Sequence, residues 1–366
     1  MLRDAGAVLV AKLATGELAS GDNWFGGQTK NPWNLAQGSS GSSAGPSSAT
    51  AAGSVGFAIG TETSGSILSP SARCGLAGLR PTFGRISRYG VMALSWTQDR
   101  LGPICRYAED CAIVMQAIAR PDGRDMSVSD IPFNWNAQLD VKKLRVGWIK
   151  ESFDELTTRR CRRTPRRCSI RSARSASRRS CRSPCPTSRP TSARSTSSRS
   201  VFFDEHARAG RMKEARNGGR PSGRLIPAVD YLRSQRVRMM MMAQLAEATA
   251  HVDVYVVAAN PSVGGRPARQ RRRCRATPPR PPRPADAGAA PFRDEPTWPA
   301  IRRSTSRTVS STADRRPTVT FYGRPFGEME VIALAKAYPG CGRDPPEAIR
   351  PRSTRDAHEL GNLVIW

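Results

Sequence analysis

The sequence predicts an α/β fold, and three observations carry that prediction. Short apolar runs at residues 7–13 (AVLVAKL) and 54–59 (SVGFAI) alternate with Gly- and Pro-containing turns. Residues 108–119 (AEDCAIVMQAIA) put apolar side chains on one helical face and acids in the first turn, where they complement the helix dipole. Residues 144–149 (LRVGWI) form a short apolar run of strand length.

Taken in order, residues 6–13 are expected to be a buried strand entered from a helix end. The chain therefore reads as starting in mid-fold, with an N-terminal part missing. Residues 1–14 are interrupted by Arg3, Asp4 and Lys12 and lack the cleavable pattern of a signal peptide. Residues 225–250 read as a helix, with Ile226, Val229 and Leu232 on one side and Met239 to Met242 thickening the apolar face. Residues 252–258 (VDVYVVA) and 318–322 (TVTFY) read as strands. A helix then places Val331, Leu334, Ala335 and Tyr338 at i, i+3, i+4 and i+7. After Pro339 the pattern is lost.

The formal net charge of +28 over 366 residues points at first to a nucleic-acid or anionic-surface partner. Its distribution argues otherwise. Residues 157–200 hold 14 arginines and no acid, and residues 264–316 hold 14 arginines against four acids. The rest of the chain carries 30 basic and 26 acidic residues, the balance of an ordinary enzyme. The two stretches are rich in Arg, Ser and Pro and poor in apolar residues, so they are expected to be disordered as written. The abrupt switch between periodic and structureless text favours out-of-frame translation of a GC-rich gene over RNA binding. Aromatic residues for base stacking are nearly absent there, which also disfavours nucleic acid as a partner.

Of nine cysteines, Cys161, Cys168, Cys181 and Cys185 lie in the first arginine-rich stretch, without histidine nearby, so no metal site is expected. Cys74, Cys105 and Cys111 sit among apolar residues and read as buried reduced thiols, which fits a cytoplasmic location. No run of 18 apolar residues occurs, so no membrane-spanning helix is expected.

The chemistry is concentrated in residues 38–106. Four segments follow one another: GSSGSSAGPSSATAAG (38–53), GTETSGSILSP (60–70), CGLAGLRPTFGRISRYG (74–90) and SWTQDRLGPICR (95–106). A serine nucleophile needs a proton acceptor, donors for the developing oxyanion, and a tight backbone approach. The small residues around Thr63, Ser64, Gly65 and Ser66 can supply the last two, and the Gly/Ser loop at 41–43 can bring a second hydroxyl. Taken alone, the first segment reads as a linker and the second as a polar turn. Neither is a phosphate loop, since GK[ST] and GxGxxG are both missing.

The order and spacing of the four segments resemble the amidase signature family. The resemblance covers residues 1–156 well, and residues 201–260 and 317–338 more weakly. It implies a mixed β-sheet covered by helices and a Ser–cis-Ser–Lys triad. Ser66 matches the nucleophile. Ser42 lies 24 residues earlier, the separation the family uses, and matches the bridging serine. Ser39 would give 27 and is rejected. Gly41 and Ser43 flank the bridge as supporting residues. The backbone N–H groups of Thr63, Ser64, Gly65 and Ser66 are the implied oxyanion hole. Ser64 stands where the family often has Gly, and Leu68 where it often has Arg. The family's lysine lies farther upstream of the bridging serine than position 42 allows, so the catalytic lysine is expected to be absent. Lys12 and Lys30 are in the wrong place. His206, His251 and His358 fall outside the signature and read as surface residues.

The implied function is hydrolysis of a carbon–nitrogen amide bond through an acyl-serine, impaired in this chain. No cofactor and no metal are implied. The implied partner is a small-molecule amide substrate, with a homodimer or amidotransferase partner subunits left open and no membrane contact. Three other readings remain: the amidase (A) subunit of a tRNA-dependent amidotransferase, an inactive pseudogene product, and an RNA-binding protein. The expected organisation is a core at 1–156, an Arg/Ser-rich stretch at 157–200, a helix–strand segment at 201–263, an Arg/Pro-rich stretch at 264–316, a strand–helix unit at 317–338 and an irregular tail at 339–366.

Overall fold

A computed structural model describes residues 1–149, 152, 179–180, 201–211, 225–259, 300–304 and 318–338. Two small hairpins lead in: β1 (Asn23–Trp24) with β2 (Gly27–Gln28), and β3 (Lys30–Asn31) with β4 (Asn34–Gly38). The body is an eight-stranded sheet. Its strands are β5 (Phe57–Glu62), β6 (Ala77–Arg80), β7 (Arg100–Cys105), β8 (Val146–Trp148), β9 (Arg179–Ser180), β10 (Val254–Ala259), β11 (Ala300–Ser304) and β12 (Thr318–Gly323). They lie in the order β5-β7-β6-β11-β12-β10-β8-β9. The pairings from β5 to β10 are antiparallel, and β10-β8 and β8-β9 are parallel. The sheet is therefore mixed, as expected.

The helices, in chain order, are α1 (Ala44–Ala51), α2 (Leu68–Cys74), α3 (Ala108–Ile118), the short α4 (Asp204–Arg208), α5 (Ala228–Ala248) and α6 (Glu328–Ala337). How they cover the sheet follows from the two-residue period of a strand. Leu101 and Cys105 of β7, Val254 and Val256 of β10, and Val319 and Phe321 of β12 face one side. There they meet α3 and α6, through Cys111, Met115, Val331 and Ile332 among others. The intervening residues Ile104, Tyr255, Val257 and Tyr322 face the other side, which carries α1 and α2. α3 starts as its sequence predicts, with Glu109 and Asp110 in the first turn and the Tyr107 N–H donating to Asp110 Oδ2 at 3.3 Å. Cys74, Cys105 and Cys111 are buried free thiols, as expected, and burial pushes the Cys74 thiol up to about 12.

A buried ion pair ties the middle of the sequence to its late segment. Arg85 donates through Nε and Nη2 to Glu328 Oε2 at 3.2 and 3.0 Å, and the Thr82 N–H donates to Glu328 Oε1 at 2.9 Å. Glu328 opens α6, where a carboxylate also meets the positive end of the helix dipole.

Three expectations need correction. Residues 6–13 form no strand, and Val8 and Leu9 are 84% and 90% exposed. No described strand offers them a ladder, and an apolar run without one cannot bury its backbone as a strand. The helix expected at 225–250 is present as α5, but Val229, Leu232, Met239 and Met240 are exposed. Only its Leu245 joins a sheet-side apolar cluster. Finally, the arginine-rich stretches are not wholly without order, because β9 and β11 belong to them. β11 sits between β6 and β12, and ladder bonds are made by backbone groups whatever the side chain. The rest of both stretches, and the tail at 339–366, lie outside the described residues, as does His358.

Candidate active site

The site is built on the α1/α2 face, at the β5 end of the sheet. β5 is the edge strand, paired among the described residues only with β7. Its free edge is met by a side chain. Ser43 Oγ donates to the Thr61 carbonyl at 3.0 Å and accepts from the Thr61 N–H at 3.1 Å, so one hydroxyl satisfies both edge groups. Gly60 makes this approach feasible, since a Cβ there would stand 2.8 Å from Ser43 Oγ.

Ser42 precedes this anchor and lies just before α1. The Gly41–Ser42 peptide is cis. The Ser42 carbonyl accepts from the Gly16 N–H at 2.9 Å. The Ser42 side chain is 1% exposed, and its Oγ has no hydrogen-bond partner among the described residues. A buried hydroxyl without a partner is costly, which marks Ser42 as a group awaiting one.

Ser66 lies in the turn between β5 and α2, half-buried. Gly65 enables that turn at φ +86°, a left-handed conformation that glycine adopts without strain. The Gly65 and Ser66 N–H groups donate to no other protein group among the described residues. They are free for a developing oxyanion. Thr63 is held by its Oγ1, which donates to Asp99 Oδ1 at 2.5 Å, and by its carbonyl, which accepts from Arg80 Nη2 at 3.2 Å. Ser64 is exposed on the same turn.

Ser42, Thr63 and Ser66 line one cavity of about 230 Å³, with Tyr89, Met92 and Trp96 supplying apolar wall. Gly41, Ser43, Ser64 and Gly65 stand beside that wall without lining it. Among the described residues, no lysine lines the cavity. Lys12 and Lys30 are exposed, and Lys30 Nζ donates to Gln28 Oε1 at 2.9 Å. His206 is exposed and His251 half-buried, and neither lines the cavity. Among the described residues, no cluster of His, Cys, Asp or Glu is placed to hold a metal, and no helix is long and apolar enough to cross a membrane.

Sequence reasoning missed the charged floor of the site. Glu62, Arg80 and Arg100 are buried on neighbouring strands, with Glu62 opposite Arg100 in the β5–β7 register. Glu62 Oε1 pairs with Arg80 Nε at 2.9 Å, and Glu62 Oε2 accepts from the Ile67 and Leu68 N–H groups at 2.7 and 2.9 Å. Glu62 thus fixes the start of α2, immediately after Ser66. The available signal was the strand period, which puts Glu62 on the face of Ala58 and Gly60. At the rim, Arg88 and Asp125 pair at 3.0 Å. Burial pushes the Asp125 carboxyl upward, but hydrogen bonds from Arg88 and Ser127 outweigh it and hold the group well below the usual carboxylate range.

The family model described as Amidase matches residues 1–171. The likeness to the amidase family covers 171 of the 366 residues. The chain is 45% identical over 158 residues to the A subunit of glutamyl-tRNA(Gln) amidotransferase from Roseiflexus castenholzii, covering 42% of this chain and 32% of that protein. It is 47% identical over 160 residues to its counterpart from Geobacter sulfurreducens, covering 42% of this chain and 33% of that protein. The chain thus spans about a third of the length of the curated relatives it matches. The fold is shared with the A subunit of glutamyl-tRNA(Gln) amidotransferase from Thermotoga maritima, at TM-score 0.68 and 22% identity over 92% of this chain and 74% of that one. It is also shared with the peptide amidase of Stenotrophomonas maltophilia, at TM-score 0.64 and 23% identity, over 92% and 74% of the two chains.

Proposed function

We propose that this chain carries the acylation machinery of an amide hydrolase. One observation supports it above the others: the buried, unpartnered Ser42 hydroxyl and Ser66 line the same cavity, beside the free N–H groups of Gly65 and Ser66. Ser66 attacks the amide carbon and passes its proton to Ser42, while Ser42 passes its own to a base. The N–H groups of residues 63–66 hold the oxyanion. The relay returns the proton to the leaving amine, and water then cleaves the acyl-serine. No described lysine lines the cavity, so among the described residues the relay ends at a hydroxyl that can pass a proton but cannot keep it, and the activity is impaired.

The test supplies the base from solution. The purified chain is treated with a fluorophosphonate, with and without ethylamine, and the labelled peptide is identified by mass spectrometry. Amine-dependent labelling of Ser66, lost in Ser66→Ala and in Ser42→Ala, is the expected result. Labelling that falls on another serine, or that ignores Ser66→Ala, overturns the assignment.

The names of the relatives favour a second, narrower reading, that of an amidotransferase A subunit that passes ammonia to a partner. Co-purification with the other amidotransferase subunits would support it, and a monodisperse chain that ignores them would exclude it.

A further inference from the structure

The reaction above uses none of the charged floor, and one of its groups stands without hydrogen-bond partners among the described residues. Arg100 lines the cavity together with Ser42 and Ser66, and it is 4% exposed. Its Nε and Nη1 are buried without a hydrogen-bond partner among the described residues. The nearby acids are committed elsewhere. Glu62 is held by Arg80 and by the Ile67 and Leu68 N–H groups. Asp99 accepts from Thr63 Oγ1 and from the Leu94 and Ser95 N–H groups at 2.5, 2.6 and 2.7 Å. Asp125 is paired with Arg88. Burial, and then the like charge of Arg80, hold the Arg100 pKa well below that of an ordinary guanidinium, with Arg238 adding to the same effect and the charges of Glu62 and Asp99 opposing it.

A buried guanidinium whose donors lack hydrogen-bond partners is costly, because desolvation removes water and the nearby carboxylates Glu62 and Asp99 give it charge without a hydrogen bond. Its planar fork of donors matches a carboxylate. A cavity of about 230 Å³ suits a small ligand. We infer that Arg100 is the specificity-determining residue of this cavity, taking the carboxylate of a small acidic amide whose amide carbon faces Ser66. This rests on the acyl-serine reading for the identity of the reacting group, but not for the anion preference itself.

Binding can be measured without turnover in the full chain bearing Ser66→Ala, by calorimetry with succinamate and with succinamide, which is similar in size but neutral. Succinamate is expected to bind about tenfold or more tightly than succinamide, as a charge-assisted hydrogen bond to a desolvated group implies. Arg100→Met should bring the two to near equality by weakening succinamate alone. Arg100→Lys should retain a reduced preference, and it carries the test should the methionine variant not fold. Equal binding of the two in the Arg100 chain, no binding of either, or a preference that survives Arg100→Met overturns the inference. The acyl-serine reading fails separately, through fluorophosphonate labelling of the chain that keeps Ser66. An anion preference without such labelling would leave Arg100 an anion site and remove the hydrolase.

Discussion

The Ser43 N–H donates to the Ser66 carbonyl at 3.0 Å, so the loop that carries Ser42 is bonded directly to the turn that carries Ser66. The same residue reaches β5 with its side chain. Its backbone sets one loop against the other, and its hydroxyl sets both against the sheet. The two loops that carry Ser42 and Ser66 thereby share one reference point.

Ser43→Ala tests this arrangement. The backbone bond to Ser66 survives, but the Thr61 N–H and carbonyl at the β5 edge lose their partner. Leaving buried polar groups unsatisfied costs ~1–3 kcal/mol. The expected outcome is a lower urea midpoint at unchanged m-value. Amine-dependent labelling of Ser66 should also slow, because the anchor of its neighbouring loop is weakened. Unchanged stability would show that water replaces the hydroxyl without loss.

A second prediction concerns the chain without added base. Ser66 at its ordinary pKa is a poor nucleophile. No described lysine lines the cavity, and Ser42 Oγ has no partner there. At neutral pH the purified chain should show no fluorophosphonate label on Ser66 and release no ammonia from simple amides. Where amine restores the reaction, Ser42→Ala should lower its rate by roughly 10³ or more, the loss seen when one member of a cooperating set is removed. Neutral labelling of Ser66 that disappears in Ser42→Ala would mean that a base outside the described residues completes the relay.

How far the sequence reached can be judged residue by residue. Helix α3 was legible because its apolar period and its first-turn acids point the same way. Strands β10 and β12 were legible because a short β-branched and aromatic run has few alternatives. Ser42 and Ser66 were chosen by spacing within a resemblance, and the structure lines one cavity with both. The segment at 6–13 was misread because apolar content says nothing about whether a strand partner exists. α1 was missed altogether, since its Gly/Ser/Ala text (AGPSSATA) has no amphipathic period and reads as a linker. Its helix is held by burial against the sheet: Ala44, Gly45, Pro46 and Ser47 are all buried. The pairing of Arg85 with Glu328 could not be read, because no local pattern links residues 243 positions apart.

That pairing supports a third prediction. Both side chains are buried, and Glu328 also accepts from the Thr82 N–H. Glu328→Ala leaves the Arg85 guanidinium without its counter-ion, and breaking a buried pair from one side costs ~3–5 kcal/mol. Arg85→Met should cost less when combined with Glu328→Leu than the sum of the two single changes, because an apolar pair removes both charges at once. A double-mutant cycle in urea measures the difference. Strict additivity would show that the two groups do not act as a pair.

The last prediction is a pH dependence at the rim of the site. Asp125 accepts from the backbone N–H and Nε of Arg88 at 2.9 and 3.0 Å and from Ser127 Oγ at 2.6 Å, and its folded-state pKa is depressed. A depressed carboxyl contributes stability that is fully present above its unfolded-state pKa of about 3.9 and is lost as pH falls through the lower folded-state value. The parent chain should therefore exceed Asp125→Asn in melting temperature by a constant margin from neutral pH down to roughly pH 5. Below the unfolded-state value the margin should shrink steadily, as protonation removes from the parent what the substitution has already removed from the variant. Arg88→Met should flatten the same profile, because the guanidinium is the partner that favours the charged carboxylate. A margin that grew on acidification would reverse the sign and show that Asp125 is destabilised, rather than stabilised, by its surroundings.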